Sequence, residues 1–235
     1  MSSTNPTQLT PSAAGSSAPA WRENGGLLLS LVLLWVVYFH GWVGSLDLHW
    51  QRLAWFGINF LVLFVVPALV IKFVFRQRLA DYGVRLGEPR IWGRYLLGFA
   101  ALMVPVIVLA SRLPSLRDYY PMYEFARIGR FPGASVGWFA LSSLGWLVYF
   151  FSWEFFFRGW MLNLLAPRYG GIAIVVQTIP FTLMHFPKPE AEAISAVVAG
   201  VALGIMAYRG KSMVGTWLLH WSIAFLMDLL VVVWR

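Results

Sequence analysis

The sequence predicts an all-α, polytopic transmembrane helix bundle. Three observations carry that prediction: an excess of apolar residues, seven long apolar runs, and basic residues that fall mostly between those runs. Hydrophobic residues make up 59% of the 235 and charged residues 12%, about half the charged fraction of an ordinary soluble domain. A soluble core cannot absorb that imbalance, so lipid is the expected solvent. The 13 Trp, 9 Tyr and 18 Phe supply rings that anchor helices at headgroup depth and fill the interior of a bundle.

Residues 1–22 open the chain with Ser, Thr, Pro, Gly and Ala and little bulky apolar surface. Such a segment buries too little to offset the entropy of ordering, and it reads as a flexible tail. It lacks the positive n-region of a signal peptide, so the first apolar run, Leu27 to Tyr38, reads as a retained helix. Further runs lie at about Leu53 to Phe75, Trp92 to Ala110, Val136 to Leu165, Gly171 to His185, Ala193 to Tyr208 and Met213 to Trp234. Each is near or above the length that spans roughly 30 Å of hydrocarbon. That makes seven helices, or eight if the long fourth run breaks in two. Residues 23–235 form one helical membrane domain without an internal repeat.

The most basic connection runs from Arg76 to Arg90 and is cytoplasmic by the positive-inside tendency. Seven spans then put the N-terminus, Arg168 and the Arg209/Lys211 pair inside, and the connection from Arg112 to Arg130 outside. The net charge of +8 forms no single basic face with exposed aromatics, which points away from nucleic acid and toward anionic headgroups. With no Cys in the chain, disulfides, thiolate metal sites and cysteine nucleophiles are excluded. In the sixth run Ala196, Gly200 and Gly204 recur every four residues, a small-residue stripe that lets a neighbouring helix approach closely.

Chemistry is expected where polar groups interrupt the apolar runs, because an ionisable side chain at bilayer depth is costly unless paired or facing a wet cavity. Glu154 and Arg158 are four residues apart and so share a helical face. A buried ion pair and an oriented general base fit that spacing equally. His185 closes the fifth run just before Pro187 and Pro189, where an interfacial side chain is the simpler reading. His220 lies inside the last run, where it either bonds a neighbouring helix or joins a site. One glutamate and two histidines on three helices are a set that activates water or binds a divalent metal such as zinc. Asp228 lies two turns beyond His220, and Glu190 follows the second histidine. Both are candidates for a supporting carboxylate. A His-Glu-x-x-His zinc motif is absent.

At these residues the sequence resembles the CAAX-protease and bacteriocin-processing (CPBP, or Abi) family of intramembrane endopeptidases, whose eukaryotic members trim prenylated proteins. The resemblance covers a core at about 136–235. The family's Glu-Glu-x-x-x-Arg motif aligns with Trp153-Glu154-Phe-Phe-Phe-Arg158, followed by Gly159. Its Phe-x-x-x-His motif aligns with Phe181-Thr-Leu-Met-His185, and its His-x-x-x-Asn motif with His220 and Ala224. Lys188-Pro189-Glu190 and Asp81-Tyr-Gly-Val-Arg85 look like family elements as well. Two positions depart from the pattern: Trp153 stands where the first Glu is usual, and Ala224 where Asn is usual.

The resemblance implies peptide hydrolysis within the membrane by glutamate- and histidine-activated water. Glu154, Arg158, His185 and His220 would form the catalytic set, with Phe181, Glu190 and Asp228 in support. Glu154, His185 and His220 are the candidate ligands if a divalent metal takes part. The expected substrate is a membrane-associated protein, lipidated or carrying a sorting tag, and the expected location is a prokaryotic cytoplasmic (inner) membrane. Trp153 and Ala224 motivate the alternative of a catalytically inactive membrane scaffold or immunity protein. A proton-relaying transporter ranks last, since no inverted repeat is visible.

Overall fold

The computed structural model describes residues 19–39, 48–121 and 132–234; most of the expected N-terminal tail, 1–18, lies outside them. Ten α-helical stretches follow one another: α1 Ala20–Tyr38, α2 Leu48–Phe60, α3 Val66–Leu69, α4 Pro89–Ala110, α5 Pro114–Tyr119, α6 Pro132–Glu154, α7 Leu162–Tyr169, α8 Ile172–Leu183, α9 Glu190–Gly210 and α10 Val214–Val233. Wide π turns over Leu61–Val65 and Val70–Val74 join α2 and α3 into one span, and another over Phe155–Met161 fuses α6 to α7. Among the described residues there is no strand. Six helical rods among the described residues are long and apolar enough to cross a bilayer; the chain is a multi-pass membrane protein. The fifth expected run is the exception, a helix of only 12 residues, about 18 Å long.

The long fourth run does not break. It continues from Pro132 to Tyr169 as the central rod, and its middle is buried on every side: Phe155, Phe156, Phe157, Arg158 and Trp160 are all 0% exposed. A helix surrounded by protein has no polar face, which is why the run Phe-Phe-Phe-Arg-Gly-Trp shows no amphipathic period. The π turn changes the carbonyl register, and the Asn163 amide donates to the carbonyls of Arg158 at 3.1 Å and Gly159 at 2.8 Å. Gly159 is required by a close approach, since a Cβ there would lie 2.7 Å from the Tyr82 carbonyl oxygen. Burial pushes the Tyr82 phenol up to about 12, so it stays protonated and donates to Gln77 Oε1 at 2.7 Å.

α1 starts at Ala20, before the predicted boundary, because its first turn is tied to the central rod. Glu23 is buried and pairs with Arg168 at 3.1 Å. Further along, the Trp160 indole donates to Ser30 Oγ at 2.8 Å. α10 is fixed to α6 by two more indoles: Trp217 donates to the Leu147 carbonyl at 2.8 Å and Trp221 to the Ser143 carbonyl at 3.1 Å. Positions 217, 220 and 221 share one helical face, so these bonds turn His220 toward the central rod. The turn between α9 and α10 is sewn to the basic 76–90 connection, with Met213 N–H donating to Gly83 O at 3.1 Å and Glu88 N–H to Gly210 O at 2.8 Å.

The stripe Ala196, Gly200, Gly204 meets α8. A Cβ on Gly200 would sit 2.6 Å from Thr178 Cγ2, and one on Gly204 2.7 Å from Ile174 Cγ2. The closeness lets Gln177 donate its amide to the Gly200 carbonyl at 3.1 Å. Gly200→Leu is expected to force α8 from α9 and destabilise the protein by about 1–3 kcal/mol, as overpacking does. Thermal unfolding in detergent measures this; an unchanged melting temperature would remove the contact from the account.

Candidate active site

The central rod presents Glu154 just before its π turn and Arg158 within it. Arg158 Nη1 donates to Glu154 Oε1 at 3.1 Å, and neither side chain is exposed. A buried guanidinium needs more than one partner. Arg158 finds the face of Phe181, whose ring centroid lies 4.1 Å from the guanidinium carbon, and the Gly200 carbonyl at 3.5 Å from Nη2. The first contact is within cation–π range. Phe181 is thus part of the charged centre, not only of the apolar core.

His220 completes the pair from α10. Its Nδ1 lies 2.6 Å from Glu154 Oε1, the same oxygen that Arg158 binds. The neutral ring therefore carries its proton on Nδ1, donates to the carboxylate and leaves Nε2 with a free lone pair. Accessibility separates the two partners: 16% of the His220 side chain is exposed and none of Glu154. Glu154 Oε2 is buried as well, and the Thr216 side chain lies beside the carboxylate.

His185 follows the last turn of α8, which is interrupted by Pro180. Its Nδ1 lies 2.7 Å from the Phe181 carbonyl. A carbonyl only accepts, so this ring also holds its proton on Nδ1 and offers Nε2 as an acceptor. The two histidines flank Phe181, with ring centroids 4.6 Å from it for His185 and 6.3 Å for His220. Trp153 is buried, stacks on Tyr149 and stands edge-on to His185 at 5.9 Å. Its indole N–H is buried without a partner. Ala224 packs against the main apolar core.

Glu190 is exposed at the first residue of α9. Glu192, which sequence reasoning passed over, lies in the same first turn of α9. Glu192 accepts from Lys188 Nζ at 2.6 Å and from the Tyr120 hydroxyl at 2.7 Å. Burial first, and the Glu192 carboxylate second, hold the Tyr120 phenol well above its ordinary value, so it remains the donor. Asp228 belongs with this second cluster: it is buried, acts electrostatically on Tyr120 and feels Glu192. Asn163 and Gln177 were also missed. Both are amides that brace the carbonyls around Arg158, and a Gln or Asn within an apolar run is the signal that would have marked them.

A zinc site needs three or four converging protein ligands, and among the described residues no three His, Asp or Glu side chains are so grouped. Glu154 Oε1 is already shared by Arg158 and His220 Nδ1. The residues as arranged do not fit a three-ligand zinc site.

No match to the chain was found among curated proteins or among solved structures. Residues 135–226 match the family model described as Rce1-like, type II CAAX prenyl endopeptidase. The matched segment runs from the start of α6 into α10 and holds Glu154, Arg158, Phe181, His185 and His220 on the elements described above. Over that segment, residues 135–226, the chain is similar to the Rce1-like, type II CAAX prenyl endopeptidase family.

Proposed function

We propose that the protein is an intramembrane endopeptidase that cuts a lipidated, membrane-anchored polypeptide with a water activated by a Glu154–His220 dyad. The observation that carries this reading is the 2.6 Å contact between His220 Nδ1 and the Glu154 oxygen that Arg158 also holds. A buried carboxylate on Nδ1–H fixes the imidazole tautomer and stabilises the imidazolium that forms when Nε2 takes a proton. His220 is then the base and Glu154 its orienting partner.

The steps follow from the free atoms. Water donates one hydrogen bond to His220 Nε2 and a second to His185 Nε2, which places its lone pair toward the scissile carbonyl. The water oxygen bonds to the carbonyl carbon as its proton moves to His220 Nε2, and the carbonyl π pair becomes an oxyanion. The indole N–H of Trp153 and Arg158 Nε are buried donors left to meet that charge. Collapse of the oxyanion breaks the C–N bond, and the imidazolium returns its proton to the departing amine. No metal is needed for this balance. The substrate class follows the family description, type II CAAX prenyl endopeptidase, and the setting we propose is a prokaryotic cytoplasmic membrane with the 76–90 connection inside.

The test uses the purified protein in lipid nanodiscs with an internally quenched, farnesylated peptide bearing a free C-terminus, and products identified by mass spectrometry. Cleavage is expected, at a rate unchanged by EDTA. A rate abolished by EDTA and restored by zinc would place a metal in the site and overturn the dyad mechanism. A second reading, a silent scaffold, is favoured by the packing of Trp153 where the family carries a carboxylate. Absence of cleavage across lipidated and unlipidated peptides would select it.

A further inference from the structure

We propose that the cleft between α4 and α9 at the basic end of the bundle binds the phosphate of an anionic membrane phospholipid. The cleft has a volume of about 420 Å³ and is lined by Ile91, Arg94, Tyr95 and Arg209. Arg94 lies five residues into α4, and Arg209 is the penultimate residue of α9. The two cations therefore sit at one level, where both helices leave the hydrocarbon. Among the described residues no carboxylate lies within ion-pair distance of either. Arg90 lies one turn before Arg94 on α4 and adds a further positive charge, while Lys211 faces Glu88 at 3.5 Å and Arg85 Nε donates to the Lys211 carbonyl at 2.9 Å.

Two unpaired guanidinium groups in one cleft form a donor fork matched to phosphate oxygens. A cleft of this kind between helices, on the positively charged side, is where anionic headgroups are held. Glu88 is the nearest acidic group named, and its ion pair with Lys211 offsets its charge.

The source of the phosphate is decided by what surrounds the cleft. α4 is the span least covered by protein, with 6% of its apolar window buried. Ile91, Leu97 and Leu102 on α4, and Ile194, Val198 and Tyr208 on α9, are exposed large apolar side chains. Below the arginines the seam thus presents apolar surface to acyl chains, which a free phosphate could not use. Tyr95 packs with Trp92 and Phe99 in the cluster that joins α4 to α9 and α10. A lipid held there would brace the helices that carry the α9–α10 turn.

Native mass spectrometry and thermal unfolding test this on the full-length protein in detergent, with dioleoyl phosphatidylglycerol, dioleoyl phosphatidylcholine or inorganic phosphate added. Phosphatidylglycerol is expected to stay bound and raise the melting temperature, and phosphatidylcholine to do neither. Arg94→Gln/Arg209→Gln should weaken phosphatidylglycerol retention about 30-fold, two basic residues' worth of headgroup attraction. Lys72→Gln/Arg78→Gln, which removes the same charge elsewhere on that end, should leave retention unchanged. Equal retention by the Arg94→Gln/Arg209→Gln variant, or equal loss in both variants, would overturn the site. An arginine-dependent shift produced equally by inorganic phosphate alone would overturn the lipid as its ligand.

Discussion

His220→Ala is expected to slow peptide cleavage by about 10²- to 10⁴-fold, the contribution of a positioned general base, while the protein keeps its fold. The substitution removes the member of the dyad whose side chain reaches accessible surface, but it leaves the buried Glu154–Arg158 pair at 3.1 Å intact. The two indole bonds that fasten α10 to α6, from Trp217 and Trp221, are also untouched. What is lost in packing is a half-buried ring against Phe150, at 4.2 Å between centroids, worth about 1–2 kcal/mol. Initial rates on the farnesylated peptide, set beside thermal unfolding of the same preparation, separate the two effects. A cleavage rate equal to that of the unaltered protein would show that His220 takes no proton, and the dyad mechanism would fall. His185→Ala should cost less, because that ring holds the water without accepting its proton.

Most of the architecture was legible because membrane crossing is written in residue length and hydropathy, which need no partner to be read. Spans matched the apolar runs wherever a rod faced lipid, as for α4. Legibility failed where the partner, not the segment, decides the outcome. The start of α1 at Ala20 depends on Arg168, which is 145 positions away and pairs with buried Glu23. The unbroken central rod depends on being surrounded by protein. Tryptophan shows the same limit. Trp21, Trp35 and Trp234 are exposed and fit the expectation of headgroup anchors, but Trp153, Trp160, Trp217 and Trp221 pack or donate inside the bundle, which their local sequence does not announce.

The polar set was legible as a set of residues, and its contacts were not. Glu154, Arg158, His185, His220 and Phe181 were marked by polarity within apolar runs and by their order, and the fold brings them around one phenylalanine ring. The proposed division between the group that orients and the group that accepts a proton rests on exposure and on the atom each ring presents. Those are properties of three helices meeting. The carboxylates after the second histidine show a similar limit: Glu190 opens α9 exposed, whereas the first turn of α9 carries Glu192 back over Lys188 to bond both it and Tyr120.

Glu154→Gln is expected to destabilise the protein by about 3–5 kcal/mol, because it strands a fully buried guanidinium without its countercharge. The amide keeps the shape of the carboxylate, and Arg158 retains only the Phe181 face and one long bond to the Gly200 carbonyl. Cleavage should be lost as well, since an amide neither enforces the Nδ1–H tautomer of His220 nor stabilises its imidazolium. Loss of activity in this variant alone could therefore reflect the fold. The double variant Glu154→Gln/Arg158→Met resolves the two causes, because replacing a buried ion pair by groups of similar volume is neutral or stabilising. It should recover most of the melting temperature and none of the cleavage. Restored cleavage in the double variant would mean that the carboxylate does not act on His220, and unaltered stability in the single variant would mean that Arg158 does not depend on Glu154. Recovery of stability without recovery of rate assigns Glu154 both roles: it neutralises the charge that the central rod buries, and it aims the ring that takes the proton.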